Sequence, residues 1–202
     1  MQRILEKTER RLGEKLLLKG ERCFGAKCAM VRRSYAPGVH GKSRRRASSE
    51  YGQLMKEKQK IRFMYGLDDR EIENYNKKAI STRGVVSFIF LRMLEGRLDN
   101  IVFRTGLAES RRIARQLVTH GHIAVNGRRV DIPSYQIKKG QVVSIMDSSS
   151  AKKVFANLET KLKKYDAPKW INLDKIKRSG TIVNLPEIDE GEVIADISKI
   201  KE

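Results

Sequence analysis

The hydrophobic positions of residues 94–145 recur first with helical spacing and then with strand spacing. Two apolar stripes at the helical period occupy the first half: Leu94, Leu98, Ile101 and Val102, then Ile113, Leu117 and Val118. We therefore predict two helices there. Glu109 or Ser110 is placed to cap the second helix, and Gly121 is placed to end it.

The second half of this stretch has the alternation of β-strands. Residues 123–125 and 128–130 flank Asn126 and Gly127. This dipeptide between alternating runs indicates a two-residue hairpin, because both turn positions need a positive φ. A further strand is predicted over residues 142–145, after the turn at 138–140.

Helical patterns precede this stretch. Residues 50–65 have amphipathic spacing after Ser48 or Ser49, either of which can cap a helix that Gly66 ends. Asp68 and Glu71 have capping-box spacing at the start of another helix. Residues 85–95 predict an apolar helix, and residues 1–19 are also compatible with helix.

The pattern after residue 145 is weaker. We predict a helix over residues 151–165 with Val154, Phe155, Leu158 and Leu162 on one side. Pro168 would break it, because proline lacks a backbone N–H. Short strands are predicted over residues 170–173, 181–185 and 193–197.

The charge of the chain points to a polyanionic partner. There are 43 Lys and Arg residues against 24 Asp and Glu, a formal net charge of +19. By count, residues 1–65 carry 18 basic and 6 acidic side chains (+12), and residues 66–165 carry 19 and 10 (+9). Residues from 166 onward carry 6 and 8 (−2), so contact with a polyanion is expected in the N-terminal and central parts.

Two segments have the chemistry for phosphate contact. The polar side of the second predicted helix carries three arginines close to two more at the hairpin, and a folded frame that fixes guanidinium groups suits bidentate phosphate binding. The loop before residue 50 carries a basic arm, residues 42–46, with Tyr35 and His40 available to stack on bases. A solvated charge run is the alternative for the arm.

Metal and catalytic chemistry have less support. Cys23 and Cys28 could form half of a zinc site, or could be two small apolar side chains; His40 could add a ligand, but a fourth is not evident. Asp99 is interpreted as a helix cap or an ion-pair partner of Arg97 or Arg104 rather than as a catalytic acid. Neither His120 nor His122 has an obvious nucleophile beside it. We expect no enzymatic activity, no cofactor and no bound metal.

The compartment is expected to be cytosolic, with an organelle as the alternative. No apolar run approaches the ~18 residues that a membrane helix needs, so no membrane partner is expected. The first residues, MQRILEKTERRLGEK, lack the apolar region of a secretory signal. Two cysteines do not form a disulfide framework.

Several motifs together resemble a known family. RLDN (97–100), SRR (110–112), ARQLV (114–118), HGH (120–122) and VNGR (125–128) resemble the alpha-L RNA-binding module, which a ribosomal protein, some pseudouridine synthases and tyrosyl-tRNA synthetases share. LLLKGERCFGAKCAM (16–30), APGVHG (36–41) and SEYGQLMKEKQKIRFMYG (49–66) resemble only the bacterial-type small-subunit ribosomal protein number four family. Many members carry a Cys-x-x-Cys pair at positions equivalent to Glu6 and Glu9, so half of that family's zinc ligands are absent here.

The resemblance implies an α+β fold. It implies a mostly helical, basic N-terminal domain over residues 1–85 and an inserted alpha-L domain of helices and a small antiparallel sheet, with a following helix, over residues 86–178. Residues 179–202 would return as C-terminal strands and pack on the first domain.

The family also implies a function and partners. It is a primary binder of a multi-helix junction in small-subunit ribosomal RNA and nucleates assembly of the subunit body. It contacts small-subunit ribosomal protein five at an interface tied to decoding accuracy, and its basic arm lines the channel through which messenger RNA enters. The alternative is a free-standing RNA chaperone or ribosome-rescue protein with the same module.

Charge and resemblance together select a set of residues for RNA contact. They are Lys42, Arg44, Arg45, Arg46, Tyr51, Lys56, Lys58, Gln59, Lys60, Arg62, Arg97, Arg111, Arg112, Arg115, Gln116, His120, His122, Asn126, Arg128 and Arg129.

Overall fold

Residues 7–43 and 47–184 are described by the computed structural model, and they divide after residue 77 into two units. The first unit contains α1 (Lys7–Leu12), α2 (Ala29–Arg32), α3 (Glu50–Tyr65) and most of α4 (Asp69–Ser81), with short 3-10 helices at Gly20–Cys23 and Val39–Lys42. The predicted helix over 50–65 is confirmed. Ser49 caps it, since its Oγ accepts a hydrogen bond from the Gly52 N–H at 3.2 Å.

The first unit is organised around a buried carboxylate as well as apolar side chains. Glu9 is 4% exposed, and its Oε1 accepts hydrogen bonds from the backbone N–H groups of Leu16 at 3.1 Å and Leu18 at 3.2 Å. The loop has no regular secondary structure that would supply acceptors for these two backbone N–H groups, so the Glu9 carboxylate supplies one instead. The loop in turn places Leu16 and Leu18 in the core.

Cys23 and Cys28 are buried free thiols in the same unit. The Sγ of Cys23 accepts a hydrogen bond from the Lys19 N–H at 3.4 Å, and burial raises the pKa of the Cys23 thiol. Across the described ranges, no three His, Cys, Asp or Glu side chains are grouped as metal ligands would be. Cys23 is 3% and Cys28 2% exposed, so both pack in the core as small apolar side chains.

The second unit joins helices to one antiparallel sheet. Its helices are α5 (Val86–Glu95), α6 (Leu98–Arg104), α7 (Arg111–Thr119), α8 (Asp147–Ser150) and α9 (Leu158–Lys163), with a 3-10 helix at Lys153–Phe155. Its strands are β1 (Ile123–Val125), β2 (Arg128–Arg129), β3 (Val142–Ile145), β4 (Ile171–Asp174) and β5 (Ser179–Ile182), in the order β2-β1-β3-β5-β4. The predicted α+β class is confirmed.

One apolar core unites the helices and the sheet of this unit. Its members come from α6, α7, β1, β3, the 3-10 helix at Lys153–Phe155, α9, β4, β5 and the connecting loops, and they include Leu98, Val102, Leu117, Ile123, Val143, Phe155, Leu162, Ile171 and Ile182. Trp170 packs against this core and is partly buried. The core holds α7 on the sheet, with the polar side of that helix facing solvent.

Leu94 and Leu98 have helical spacing in the sequence but belong to two separate helices. α5 ends at Glu95 and α6 starts at Leu98, with Arg97 in an extended conformation between them. Residues 96–98 instead hydrogen-bond to residues 135–137: the Leu98 N–H donates to the Tyr135 carbonyl at 2.8 Å, and the Ile137 N–H donates to the Gly96 carbonyl at 2.9 Å. These long-range bonds replace the helical ones, which local periodicity cannot reveal.

The single helix predicted over residues 151–165 is also wrong. That region contains a 3-10 turn and the short α9, and Val154 is exposed while Phe155 is buried. The Phe155 ring meets the edge of the His122 ring at a centroid distance of 6.4 Å. The Phe155 N–H donates to the Lys152 carbonyl at 2.9 Å, a bond of the 3-10 type rather than the α-helical type.

The structure places the boundaries differently from the sequence expectation. Residues 179–182 were expected to return to the first domain, but β5 pairs with β3 and β4 and belongs to the sheet of the second unit. Gly180 lets β5 approach Thr105 closely. A Cβ at residue 180 would lie only 2.4 Å from Cγ2 of Thr105. The strand predicted over 193–197 lies outside the described residues.

No helix within the described residues combines the length and apolar character needed to cross a membrane.

Candidate nucleic-acid interface

The exposed side of α7 presents a line of polar side chains. Ser110 caps the helix, since its Oγ accepts from the Ile113 N–H at 3.4 Å. Arg112, Gln116 and His120 follow at four-residue spacing and are all exposed. Residues four apart lie above one another on a helix, so these three form one ridge along α7. Arg115 lies beside the ridge and is partly exposed.

The hairpin after α7 has the predicted turn. Asn126 and Gly127 have φ values of 50° and 77°, as a two-residue turn of this type requires. The side-chain oxygen of Asn126 accepts a hydrogen bond from the Val142 N–H at 2.8 Å, so this residue fixes the turn to β3. Arg128 and Arg129 follow directly and are exposed.

Arg129 connects the hairpin to the end of α7. A Cβ built on Gly121 would lie 2.2–2.4 Å from the Nε, Cζ and Nη2 atoms of Arg129. The guanidinium therefore lies directly over Gly121, and a side chain at position 121 would displace it. A cation at the C-terminal end of a helix is also favoured by the helix dipole.

His122 is a partly buried member of this region. Its Nδ1 is 3.0 Å from the Ser149 Oγ, and its ring is 6.0 Å from that of His120. Burial lowers the pKa of His122, and the positive charges of Lys152, His120 and Arg129 lower it further. The neutral imidazole is thus favoured in the folded protein.

Arg111 has a different environment from its neighbour Arg112. Its Nε donates to the Asn100 Oδ1 at 2.7 Å, and its guanidinium lies 4.6 Å from the centroid of the Phe103 ring. Glu95 Oε1 is 3.8 Å from its Nη2. The guanidinium is therefore used within the unit, and Arg111 orients α7.

Asn100 and Glu95 are the buried centre of this arrangement. Glu95 accepts from the Asn100 Nδ2 at 2.7 Å and from Nε and Nη2 of Arg104, both at 2.9 Å. A buried carboxylate that is fully paired in this way holds its partners in a fixed geometry. The network links α5 and α6 to the first residue of α7.

Arg97 does not fit the predicted RNA-contact set. Its side chain is 1% exposed, and it binds the Asp99 carboxylate through Nε at 3.0 Å and Nη2 at 2.7 Å. A buried arginine with a bidentate carboxylate partner has no surface to offer a phosphate. The alternative of an Arg97–Asp99 ion pair is confirmed.

The basic side of α3 is partly neutralised within the first unit. Glu14 lies 3.1 Å from Lys56 and 2.5 Å from Lys60, and Asp69 lies 3.0 Å from Arg62. Burial opposes ionisation of Glu14, but hydrogen bonds and charges from Lys60 and Lys56 lower its pKa below the ordinary value. These cations therefore contribute less free positive charge than the sequence indicated.

The remaining predicted residues of α3 have simpler surroundings. Gln59 accepts a hydrogen bond from the Arg62 Nη1 at 3.3 Å, Lys58 is partly exposed, and Tyr51 is exposed near the start of the helix. The helix thus retains polar surface, to which the exposed Lys56 and the partly exposed Lys58 contribute.

The basic arm is described only in part. Lys42 is exposed, and its Nζ lies 5.2 Å from the centroid of the Tyr35 ring. Arg10 also lies over that ring at 5.0 Å, so Tyr35 is already engaged by two cations. Arg44, Arg45 and Arg46 lie outside the described residues.

Two further exposed cations, Lys175 and Lys177, lie on the β4–β5 turn and are absent from the predicted RNA-contact set. The net charge from residue 166 onward is negative and hides them, whereas a charge count over shorter windows reveals them.

Comparison with known proteins places these features in a family. Residues 4–95 match the Ribosomal protein S4/S9 N-terminal domain, and residues 96–143 match the S4 domain. The protein named small ribosomal subunit protein uS4 is 47% identical in Desulfitobacterium hafniense, over 90% of this chain and 86% of that protein. The uS4 proteins of Thermus thermophilus (46%; 90% and 87% coverage) and Acetivibrio thermocellus (49%; 88% and 85%) are similarly close.

Proposed function

The chain belongs to the uS4 family of small ribosomal subunit proteins, and on that premise we propose that it binds small-subunit ribosomal RNA through α7 and the following hairpin. We define the α7–hairpin face as Arg112, Arg115, Gln116, His120, Arg128 and Arg129. Its function is structural and RNA-binding, without catalysis.

The ridge on α7 is the observation that carries this proposal. Arg112 and His120 project from a helix that a buried core fixes to the sheet, and Arg129 is seated over Gly121 between helix and hairpin. The fixed backbone spaces these guanidinium groups for contact with phosphate oxygens. Such an array reads the shape of folded RNA rather than its base sequence.

The contacts of Arg111 support a division of roles among the predicted residues. Arg111, Arg97 and Asn126 fix the frame through Asn100, Asp99 and the Val142 N–H, respectively. The α7–hairpin face then makes the phosphate contacts. His122 supports it from behind through Ser149.

The family resemblance supports the finer parts of the proposal. The RNA target is a multi-helix junction, and binding there nucleates assembly of the subunit body. Small-subunit ribosomal protein five is a protein partner, with a role in decoding accuracy. Lys42 to Arg46 contact messenger RNA where it enters the subunit, and the protein resides in cytoplasmic ribosomes.

The match of residues 4–95 argues against the free-standing chaperone or rescue protein. Such a protein would need the module but not a ribosomal N-terminal domain, whereas both domains are matched here. Lys58 and Lys42 in the first unit are cations with access to solvent that would add to the grip on RNA.

Co-sedimentation with chemical footprinting tests the proposal. The protein is expected to sediment with small subunits and to protect nucleotides of one multi-helix junction in the ribosomal RNA. The double variant Arg112→Ala/Arg128→Ala should lose protection, with its fold retained. Absence of binding to ribosomal RNA at low ionic strength would refute the proposal.

A further inference from the structure

A second group of cations lies away from the α7–hairpin face. We define the α9–turn cluster as Lys163, Lys164, Lys175 and Lys177, all of which are exposed. Residues 161–178 contain seven basic and two acidic side chains, so this window carries +5 although the chain from 166 onward sums to −2. Positive charge is therefore concentrated where α9 meets the β4–β5 turn.

Two contacts hold the turn against α9. The Nζ of Lys175 donates to the carbonyl of Lys163 at 3.2 Å, and Nη2 of Arg178 lies 2.5 Å from Oε1 of Glu159. A lysine at the last carbonyls of a helix also satisfies groups that lack helical partners. The two segments of the cluster thus form one surface.

The turn itself has a fixed conformation. Oδ1 of Asp174 accepts from the N–H groups of Ile176 and Lys177, both at 3.0 Å. This is an Asx-type turn, which presets the backbone without help from a partner. It projects Ile176, which is 94% exposed, between Lys175 and Lys177.

The strand order separates this cluster from the α7–hairpin face. β2 carries Arg128 and Arg129 at one edge of the sheet, and β4 leads into the β4–β5 turn at the other edge. Four strand spacings of ~4.8 Å put the edges ~19 Å apart. That exceeds the ~8 Å Debye length at physiological ionic strength, so the two surfaces act on different phosphates.

We propose that the α9–turn cluster is a second phosphate-binding surface, which contacts a segment of the ribosomal RNA other than the one on the α7–hairpin face. The second unit would then hold two RNA segments from opposite edges of its sheet. This inference rests on the proposed function. RNA is favoured over a protein partner because lysine is depleted from protein interfaces, and Ile176 is the single large apolar side chain exposed on this turn.

The salt dependence of RNA affinity tests the cluster. The variant Lys164→Ala/Lys177→Ala avoids Lys175, whose ammonium holds the turn. Its affinity for small-subunit ribosomal RNA should fall about tenfold. Each phosphate contact contributes ~0.9 to the magnitude of the slope of log affinity against log salt, so the loss of two contacts should reduce that magnitude by about 2. Lys77→Ala/Lys78→Ala on α4 removes the same charge from another exposed site and should leave the slope unchanged.

A tethered cleavage probe locates the RNA segments. A hydroxyl-radical-generating iron chelate is attached to Ile176→Cys or to Thr119→Cys, an exposed position of α7 outside the α7–hairpin face, while the buried Cys23 and Cys28 remain unlabelled. The two positions should cleave separate RNA segments. Cleavage from 119 but not from 176, or of the same segment from both, would overturn the inference.

The possible outcomes distinguish a failure of the α9–turn cluster from a failure of the proposed RNA-binding function. If the unaltered protein binds ribosomal RNA and the Lys164/Lys177 variant binds it equally well with the same salt slope, the cluster contacts no RNA. The proposed function then stands, and an acidic protein becomes the better partner. If the unaltered protein itself fails to bind ribosomal RNA at low ionic strength, both proposals are refuted.

Discussion

Arg111 donates a hydrogen bond from Nε to the Asn100 Oδ1 at 2.7 Å, across eleven positions of the chain. Asn100 is buried and also donates to Glu95, so the first residue of α7 is tied to a network between α5 and α6. Arg112, the next residue, is exposed. Two adjacent arginines therefore have different roles, although the sequence presents them as a pair.

Arg111→Ala and Arg112→Ala should separate stability from RNA affinity. Arg111→Ala leaves Asn100 and Glu95 short of a buried partner, so the free energy of unfolding should fall by ~2–3 kcal/mol. Arg112→Ala should change stability by less than ~0.5 kcal/mol and weaken RNA binding by ~1–3 kcal/mol. Thermal unfolding followed by Trp170 fluorescence reports on this unit, and filter binding gives the affinity. Equal effects of the two variants on stability would contradict the assignment.

Gly121→Ala should displace the guanidinium group of Arg129 from its position over residue 121. Gly121 and Gly127 have φ values of 69° and 77°, so alanine costs ~1 kcal/mol of stability at either position. Only at Gly121 would the new Cβ meet the Arg129 guanidinium; at Gly127 nothing lies within 4 Å. Gly121→Ala should therefore lower RNA affinity about fivefold, or ~1 kcal/mol, more than Gly127→Ala does. Matched affinities would show that the position of Arg129 is unimportant.

Glu9→Ala should loosen the loop before the first 3-10 helix. It leaves the Leu16 and Leu18 N–H groups buried without their acceptor, at an expected cost of ~2–4 kcal/mol. Glu9→Gln keeps a side-chain oxygen and should cost less. Hydrogen exchange of these two amides measures the effect. Exchange should be fastest in Glu9→Ala, intermediate in Glu9→Gln and slowest in the unaltered protein. Unchanged protection in both variants would rule out this role.

His122 should make the second unit less stable in mild acid. Its pKa is lowered in the folded state, from an ordinary value of 6.5, by burial first and then by Lys152, His120 and Arg129. As pH falls below 6.5 the unfolded chain takes up the proton first, so the stabilising contribution is complete above 6.5 and is lost as pH falls through the folded pKa. Unfolding measured from about pH 7.5 to about pH 5 should show this loss in the unaltered protein and less of it in His122→Gln. Identical pH profiles of the two proteins would exclude His122 as the source of the stability loss in mild acid.

Local chemistry alone determined the frame of the candidate site. Ser110 as one of two candidate caps of α7, the helical spacing of its apolar stripe and the turn at Asn126 and Gly127 were all predicted, because each depends on neighbours in sequence. Backbone preferences, capping bonds and hydrophobic periodicity act over a few residues, so they can be read without the fold. The positive charge, and with it the expectation of a polyanionic partner, followed in the same way from counting.

Tertiary structure alone decided which cations face solvent. Arg97 is buried on Asp99, Arg111 is held by Asn100, and Lys60 pairs with Glu14, 46 positions away. It also decided that β5 joins β3 and that the segment 135–137 hydrogen-bonds to residues 96–98 and so interrupts the helical spacing near Arg97. Ion pairs and strand pairing join residues far apart in the chain, and their energy depends on distance and burial that exist only after folding.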